Sequence, residues 1–177
     1  SDKEFRELFT ASPRHTMVGA DLSGIELRML AHYIGRYDGG RYADILLNDD
    51  IHQVNADKIG ITRRQVKTVT YAFLYGAGNI KLGQSFDNTL QPKEASKKGS
   101  EIRKAFVAAI EGLSDLLDAV SNKSSNGYLL ACDGRRVLVD SRHKALNYLL
   151  QCSAGVVAKR WMVIANDAIH NPHTHQL

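Results

Sequence analysis

The stretch RRQVKTVTYAFLYGAG, Arg63 to Gly78, sets a cation at 63, a second at 67, and tyrosines at 71 and 75. A helix turns about 100° per residue, so each four-residue step drifts by about 40° and the four side chains share about 120° of one surface. A face turned to water needs no rings, and a face turned to the core does not accept Arg63 and Lys67. Two environments satisfy the pattern: a partner both anionic and flat, or a solvated basic face carrying half-buried tyrosines. Cations in the first turns oppose the helix dipole. They become favourable if an anion such as a triphosphate lies across that end. Arg63 can then grip phosphate through its fork and Lys67 can add a point charge. His52, just upstream, can donate to the same phosphates, and the rings can stack on a base or sugar. Thr62 is placed to cap this helix, and the closing Gly-Ala-Gly to end it in the left-handed conformation.

Around this helix the pattern alternates between strand-like and helical stretches. TMVGADL (Thr16–Leu22) reads as a short strand ending at an acid, and Gly24–Arg36 as a helix with apolar residues at 25, 27, 30, 31 and 34. Two glycines break it, a short helix follows in YADILLND, and Asp50 is placed to cap IHQVNADKI. Lys93 to about Ser121 reads as one long amphipathic helix, weakened at Gly99 and Gly112. YLLACDGRRVLVD reads as two strands around an Asp133-Gly134 turn, and Ser141 as the cap of a second long helix. NPHTHQL stands where a further strand could begin. These elements imply two lobes, a small mixed sheet formed by both chain ends and a helical insert at about 39–127.

Composition bounds the function without naming it. With 177 residues, 44% of them hydrophobic and 24% charged, the chain can bury a core and is not disordered. A net charge of +4 suits a phosphate-bearing partner. Cys132 and Cys152 lack metal-ligand spacing and read as reduced thiols of a cytosolic protein. No apolar run reaches membrane-spanning length, and SDKEFRELF is no signal peptide. The initiator Met is absent, and the expectation is a chain either processed or cut from something longer.

Other residues allow two readings each. Asp21, at a strand end, can offer Mg²⁺ a carboxylate while the Leu22 carbonyl offers a second oxygen; equally, it can cap the next helix. Glu26 can simply favour the helix dipole. His143, Asn147 and Gln151 are four apart, so one helical face carries a ring and two amides. Amides suit minor-groove acceptors, where readout is nearly sequence-blind, but ordinary exposed polar residues fit too. Arg135 and Arg136 in the hairpin suit backbone phosphate. His170, His173 and His175 have neither helical spacing nor a carboxylate set, and are not read as a metal site.

In this order the motifs resemble the polymerase domain of family A DNA polymerases. DLSGIELR is similar to that family's motif A. RRQVKTVTYAFLYGAG is similar to motif B, Arg-x3-Lys-x3-aromatic-x3-Tyr-Gly. HKALNYLLQCSAG resembles the helix that touches the primer–template minor groove. DLSG with FLYGAG and RHKALNYLLQ is most like short-tailed bacteriophage replicative enzymes, and the likeness runs from FRELF through nearly the whole chain. It implies an α+β fold: a partial palm, a small antiparallel sheet with long helices, over 1–38 and 128–177, and an inserted α-helical fingers lobe over 39–127.

The resemblance also implies roles. Asp21 and Leu22 hold metal, with Asp21 and Lys67 catalytic; Glu26 closes the sugar pocket; His52, Arg63 and Lys67 meet the triphosphate. Tyr71 lies beside the incoming sugar and base, and its hydroxyl can stand in for a missing 3′-hydroxyl. Tyr75 lies near the templating base, and Arg135, Arg136, His143, Asn147 and Gln151 meet DNA. His143 stands where many members have arginine. The implied partners are primer–template DNA and deoxynucleoside triphosphates, with two Mg²⁺ ions and a processivity factor on a thumb not present here, in a monomeric subunit working in DNA replication in the (host) cytoplasm. The family's His-Asp-Glu triplet, which bears the second metal carboxylate, does not occur in these 177 residues. The expectation is therefore a chain that binds nucleotide and DNA but does not by itself extend a primer.

Overall fold

The structure is a computed structural model and describes residues 3–169. A short helix, α1 (Lys3–Arg6), precedes an exposed irregular segment. Then follow α2 (Ile25–Asp38), α3 (Arg41–Asn48), α4 (Ile51–Ile59), α5 (Arg63–Leu74), α6 (Asn79–Phe86), α7 (Pro92–Ala109) and α8 (Leu113–Ser124). A hairpin of β1 (Tyr128–Leu130) and β2 (Arg136–Leu138), a 3-10 turn (Arg142–Lys144) and α9 (Ala145–Ala168) complete it. The architecture is mostly helical, with one two-stranded antiparallel sheet among the described residues. Among the described residues, no helix is long and apolar enough to cross a membrane.

One buried cluster joins the elements. Leu30 and Ile34 of α2 meet Val69, Phe73 and Leu74 of α5, Phe106 of α7, Leu113 of α8, Val137 of β2, and Leu146 and Leu150 of α9. The buried positions of α2 are 27, 30, 31, 34 and 38, a stripe expected of an amphipathic helix, with Tyr33 buried beside it. The buried Asp38 ends that stripe, and its carboxylate accepts from the Gly40 and Tyr42 amides at 2.8 and 2.7 Å. It thereby satisfies two donors at the start of α3, whose N-cap, Gly40, has no side chain to do so.

Several expectations hold. Asp50 caps α4 through bonds from the His52 and Gln53 amides. Thr62 and Gln65 form a reciprocal capping box on α5. The hairpin registers Tyr128 with Leu138 and Leu130 with Arg136 around Gly134, whose φ is 84°.

Others are corrected. Thr16–Leu22 is not a strand: the segment is exposed, Val18 to 88%, and no described strand pairs with it. A short apolar run does not make a strand without a neighbour to take its backbone hydrogen bonds. The mixed sheet at both chain ends is thus reduced to the hairpin, and the NPHTHQL strand lies outside the described residues. The long helix from Lys93 is two helices, parted at Gly112, which takes φ 78° against Tyr37. Gly99 does not weaken α7, which runs through it. Ser141 opens a 3-10 turn without a side-chain cap bond, so His143 sits on that turn and not on the helix that carries Asn147 and Gln151. α6 was not anticipated.

Candidate functional site

The site is organised by α5. Val66, Val69, Thr70, Phe73 and Leu74 are its buried face. Their burial turns the Arg63–Lys67–Tyr71–Tyr75 stripe outward. Arg63 and Lys67 are exposed, Tyr71 is half-buried, and Tyr75, just past the last helical residue, is 52% exposed. The first turn has no acid. The nearest counter-charge comes from α4, where Asp50 Oδ2 accepts from Arg63 Nε at 2.6 Å.

At the basic end, His52 is 8% exposed and its ring centroid lies 6.1 Å from that of Tyr71. Its Nδ1 is buried without a hydrogen-bond partner. Burial, then the charge of Arg63, hold this imidazole below its ordinary pKa, with Lys67 acting in the same direction and Asp50 against it. The ring is therefore neutral at pH 7, poised to become charged if an anion offsets the two cations.

The ringed end is fastened from two sides. The Tyr75 hydroxyl donates to Glu26 Oε1 at 3.0 Å, tying the end of α5 to the first turn of α2. That bond, then burial, pushes the phenol above its ordinary pKa. Asn147 Nδ2 donates to the Leu74 carbonyl at 2.7 Å in a buried setting, tying α5 to α9. Gly76, at φ 69°, takes the left-handed conformation that turns the chain beside Asn147 and Lys144. One Asn147 donor is thus engaged inside the protein. Gln151, one turn on, is exposed, as is His143.

The remaining residues make no hydrogen bond or ion pair to this stripe. Asp21 is exposed in the irregular segment and makes no hydrogen bond or ion pair among the described residues; Gly24 is the N-cap of α2, so Asp21 is not its cap. Leu22 is half-buried. Arg135 pairs with Asp133 at 2.7 Å, and Arg136 stacks 4.7 Å over the Tyr128 ring, so both are engaged within the hairpin. The Asp21 carboxylate and Leu22 carbonyl are hard oxygen donors of the kind Mg²⁺ accepts. Among the described residues no group of three His, Cys, Asp or Glu could hold a metal, so the fit is partial and depends on further oxygens such as those of a phosphate. The three tail histidines lie outside the described residues.

Sequence reading missed Arg103. From α7 it donates through Nε to Asn79 Oδ1 at 3.0 Å and through a terminal nitrogen to the Ala77 carbonyl, with its guanidinium 5.4 Å over the Phe73 ring. It holds the turn between α5 and α6. In a lysine-rich helix nothing in the sequence sets it apart. The Tyr75–Glu26 and Asn147–Leu74 bonds were equally hidden, because each joins residues far apart in the chain.

The family model for DNA polymerase family A matches residues 1–177. The chain is similar to the DNA-directed DNA polymerase of Escherichia phage T7, 39% identical over 161 residues, covering 85% of this chain and 23% of the relative. It is also similar to the DNA-directed DNA polymerase of Escherichia phage Phieco32, 36% identical, covering 88% of this chain and 30% of the relative. Among solved structures it resembles the polymerase domain of Pol1 from M. smegmatis, in complex with DNA primer–template and dNTP. That likeness has a TM-score of 0.63 at 25% identity, over 83% of this chain and 28% of the other. The chain thus spans less than a third of the length of these relatives.

Proposed function

The chain belongs to DNA polymerase family A, and on that premise we propose that it supplies the nucleotide-selecting face of a template-directed DNA polymerase. The observation that carries this reading is the α5 stripe: two exposed cations and a buried neutral histidine at one end, two rings at the other, and the ringed end fastened to Glu26 and α9.

The triphosphate lies across the start of α5. Arg63 and Lys67 neutralise it, most strongly as charge moves onto the leaving pyrophosphate, so their contribution is positioning and electrostatic stabilisation. Tyr71 offers its ring to sugar and base, and Tyr75 stands beside the templating base. Glu26, held by the Tyr75 hydroxyl, lines the sugar pocket where it disfavours a 2′-hydroxyl. Gln151 and His143 face the minor groove, with Asn147 between them, and Arg135 and Arg136 meet backbone phosphate. Residues 39–127 form the fingers, and 1–38 with 128–177 the palm. Asp21 and the Leu22 carbonyl would hold Mg²⁺, which when bound stabilises the attacking 3′-oxygen and the leaving oxygen.

Primer extension by a full-length polymerase carrying this chain tests the reading. Template-directed addition of deoxynucleotides is expected, and its absence would refute the assignment. A second reading, binding without turnover, is favoured for the 177-residue chain by itself, because its described residues hold no group of three His, Cys, Asp or Glu placed to bind a metal. For that chain alone, primer binding that weakens steeply with salt and no extension are expected.

His52 supplies an independent check. Its imidazole is held below its ordinary pKa in the free protein. A triphosphate on Arg63 and Lys67 raises that pKa, so the ring takes up a proton on binding in the window between its free and bound pKa, and falling pH there favours the complex more in the parent than in a variant without the ring. Calorimetry in buffers of different ionisation enthalpy should show greater proton uptake by the parent than by His52→Gln, a difference that removes the proton balance of the nucleotide's own phosphates. The same proton balance in parent and variant counts against phosphate contact by this ring.

A further inference from the structure

The Asp50 carboxylate sits where an incoming anion would be received. One oxygen accepts from Arg63 Nε at 2.6 Å, and the other from the His52 and Gln53 amides, each at 3.1 Å. The first cation of the α5 stripe and the open donors of the α4 N-terminus are thereby both satisfied by one acid of the protein. The pair is half exposed, Arg63 to 50% and Asp50 to 44% at the side chain, so it is screened and readily exchanged. Arg63 holds Asp50 well below the usual carboxylate range, with the Gln53 amide next in effect, so the acid is charged at any working pH. No other ion pair to Arg63 occurs among the described residues, and Lys67 has none.

We propose that Asp50 is an internal competitor for phosphate, a positioning residue that holds Arg63 when the site is empty and must yield it when a triphosphate binds. It rests on the triphosphate reading of the α5 stripe. Two consequences follow from one charge. Arg63 is kept extended beside α4 instead of wandering, and every phosphate bound at the stripe is bound less tightly than its cations alone would hold it. Pyrophosphate, which has no base or sugar to add to its hold, is affected alongside the triphosphate, so Asp50 also favours product departure.

Asp50→Asn separates charge from capping, because asparagine caps a helix about as well as aspartate. Calorimetric titration of the full chain with inorganic pyrophosphate and with a deoxynucleoside triphosphate should show about fivefold tighter binding of both in the variant, the scale of an exposed ion pair. In an Arg63→Ala background the same change should be less than twofold, since the competition runs through Arg63. In the full-length enzyme KM for nucleotide should fall, and inhibition by pyrophosphate should strengthen in parallel. Circular dichroism checks folding, and Asp50→Ser, which also caps, replaces the asparagine variant if that variant fails to fold. Equal or weaker binding by the uncharged variant overturns the proposal and leaves the site reading standing, as does an undiminished effect without Arg63. If the folded parent binds neither probe, the triphosphate reading fails and the competitor falls with it.

Discussion

Lys67→Ala is expected to lower nucleotide incorporation by a full-length enzyme about 10²- to 10³-fold, the usual effect of removing one preorganised donor from developing charge. The case rests on what Lys67 does not do. It is exposed and makes no hydrogen bond or ion pair among the described residues, and it flanks the buried face of α5 without belonging to it. Alanine there improves helix propensity slightly and leaves the core untouched, so stability should stay within about 0.5 kcal/mol. A large loss of rate without loss of fold would then report chemistry alone. If Lys67 acts on charge that grows towards the transition state, kcat and kcat/KM fall together; if it only gathers substrate, KM rises with kcat unchanged. Single-turnover incorporation over a range of nucleotide concentrations separates the two. Unchanged incorporation would mean that the basic stripe is an ordinary solvated face, the bland reading that its spacing also permits.

The parts of this protein legible in its sequence are those specified within one or two turns of chain. The capping box at Thr62 and Gln65, the Asp50 cap, the outward stripe of α5 and the Asp133-Gly134 hairpin each depend on residues no more than about a dozen positions apart. Some misses are local, such as Ser141, which makes no side-chain cap bond, but the larger mistakes are long-range. A strand at Thr16–Leu22 needs a neighbour, and none is present among the described residues. The break between α7 and α8 occurs where Gly112 passes close to Tyr37, more than seventy positions away. Asn147 reads as a free amide until the Leu74 carbonyl, also more than seventy positions away, is found beneath it. The site divides the same way: its cations and rings can be read from spacing, while the bonds that fasten them to α2, α4, α7 and α9 cannot. Asp50 shows the gap well, since it was readable as a cap and its grip on Arg63 was not.

Gly99→Ala is expected to destabilise the protein by about 2 kcal/mol or more, against the helix preference for alanine of about 1 kcal/mol. A Cβ at position 99 would fall 1.9 Å from the Asn79 carbonyl oxygen, 2.8 Å from its carbon and 2.9 Å from the Gly83 nitrogen. All three are backbone atoms, so no side chain can rotate away, and α6 as a whole must lift off α7. The reverse contact is as close, for a Cβ at Gly83 would fall 2.0 Å from the Ala95 carbonyl oxygen. The damage would not stay local. Asn79 receives Arg103, which also holds the Ala77 carbonyl just beyond Tyr75 and Gly76, so lifting α6 loosens the ringed end of the α5 stripe. Gly155→Ala is the control: Gly155 lies within α9 with nothing within 4 Å of its Cβ position, and should gain up to about 1 kcal/mol. Chemical denaturation of both variants beside the parent reads the difference. A Gly99 variant as stable as the Gly155 variant would mean that α6 and α7 do not approach so closely in solution, and that the turn held by Arg103 is free to move.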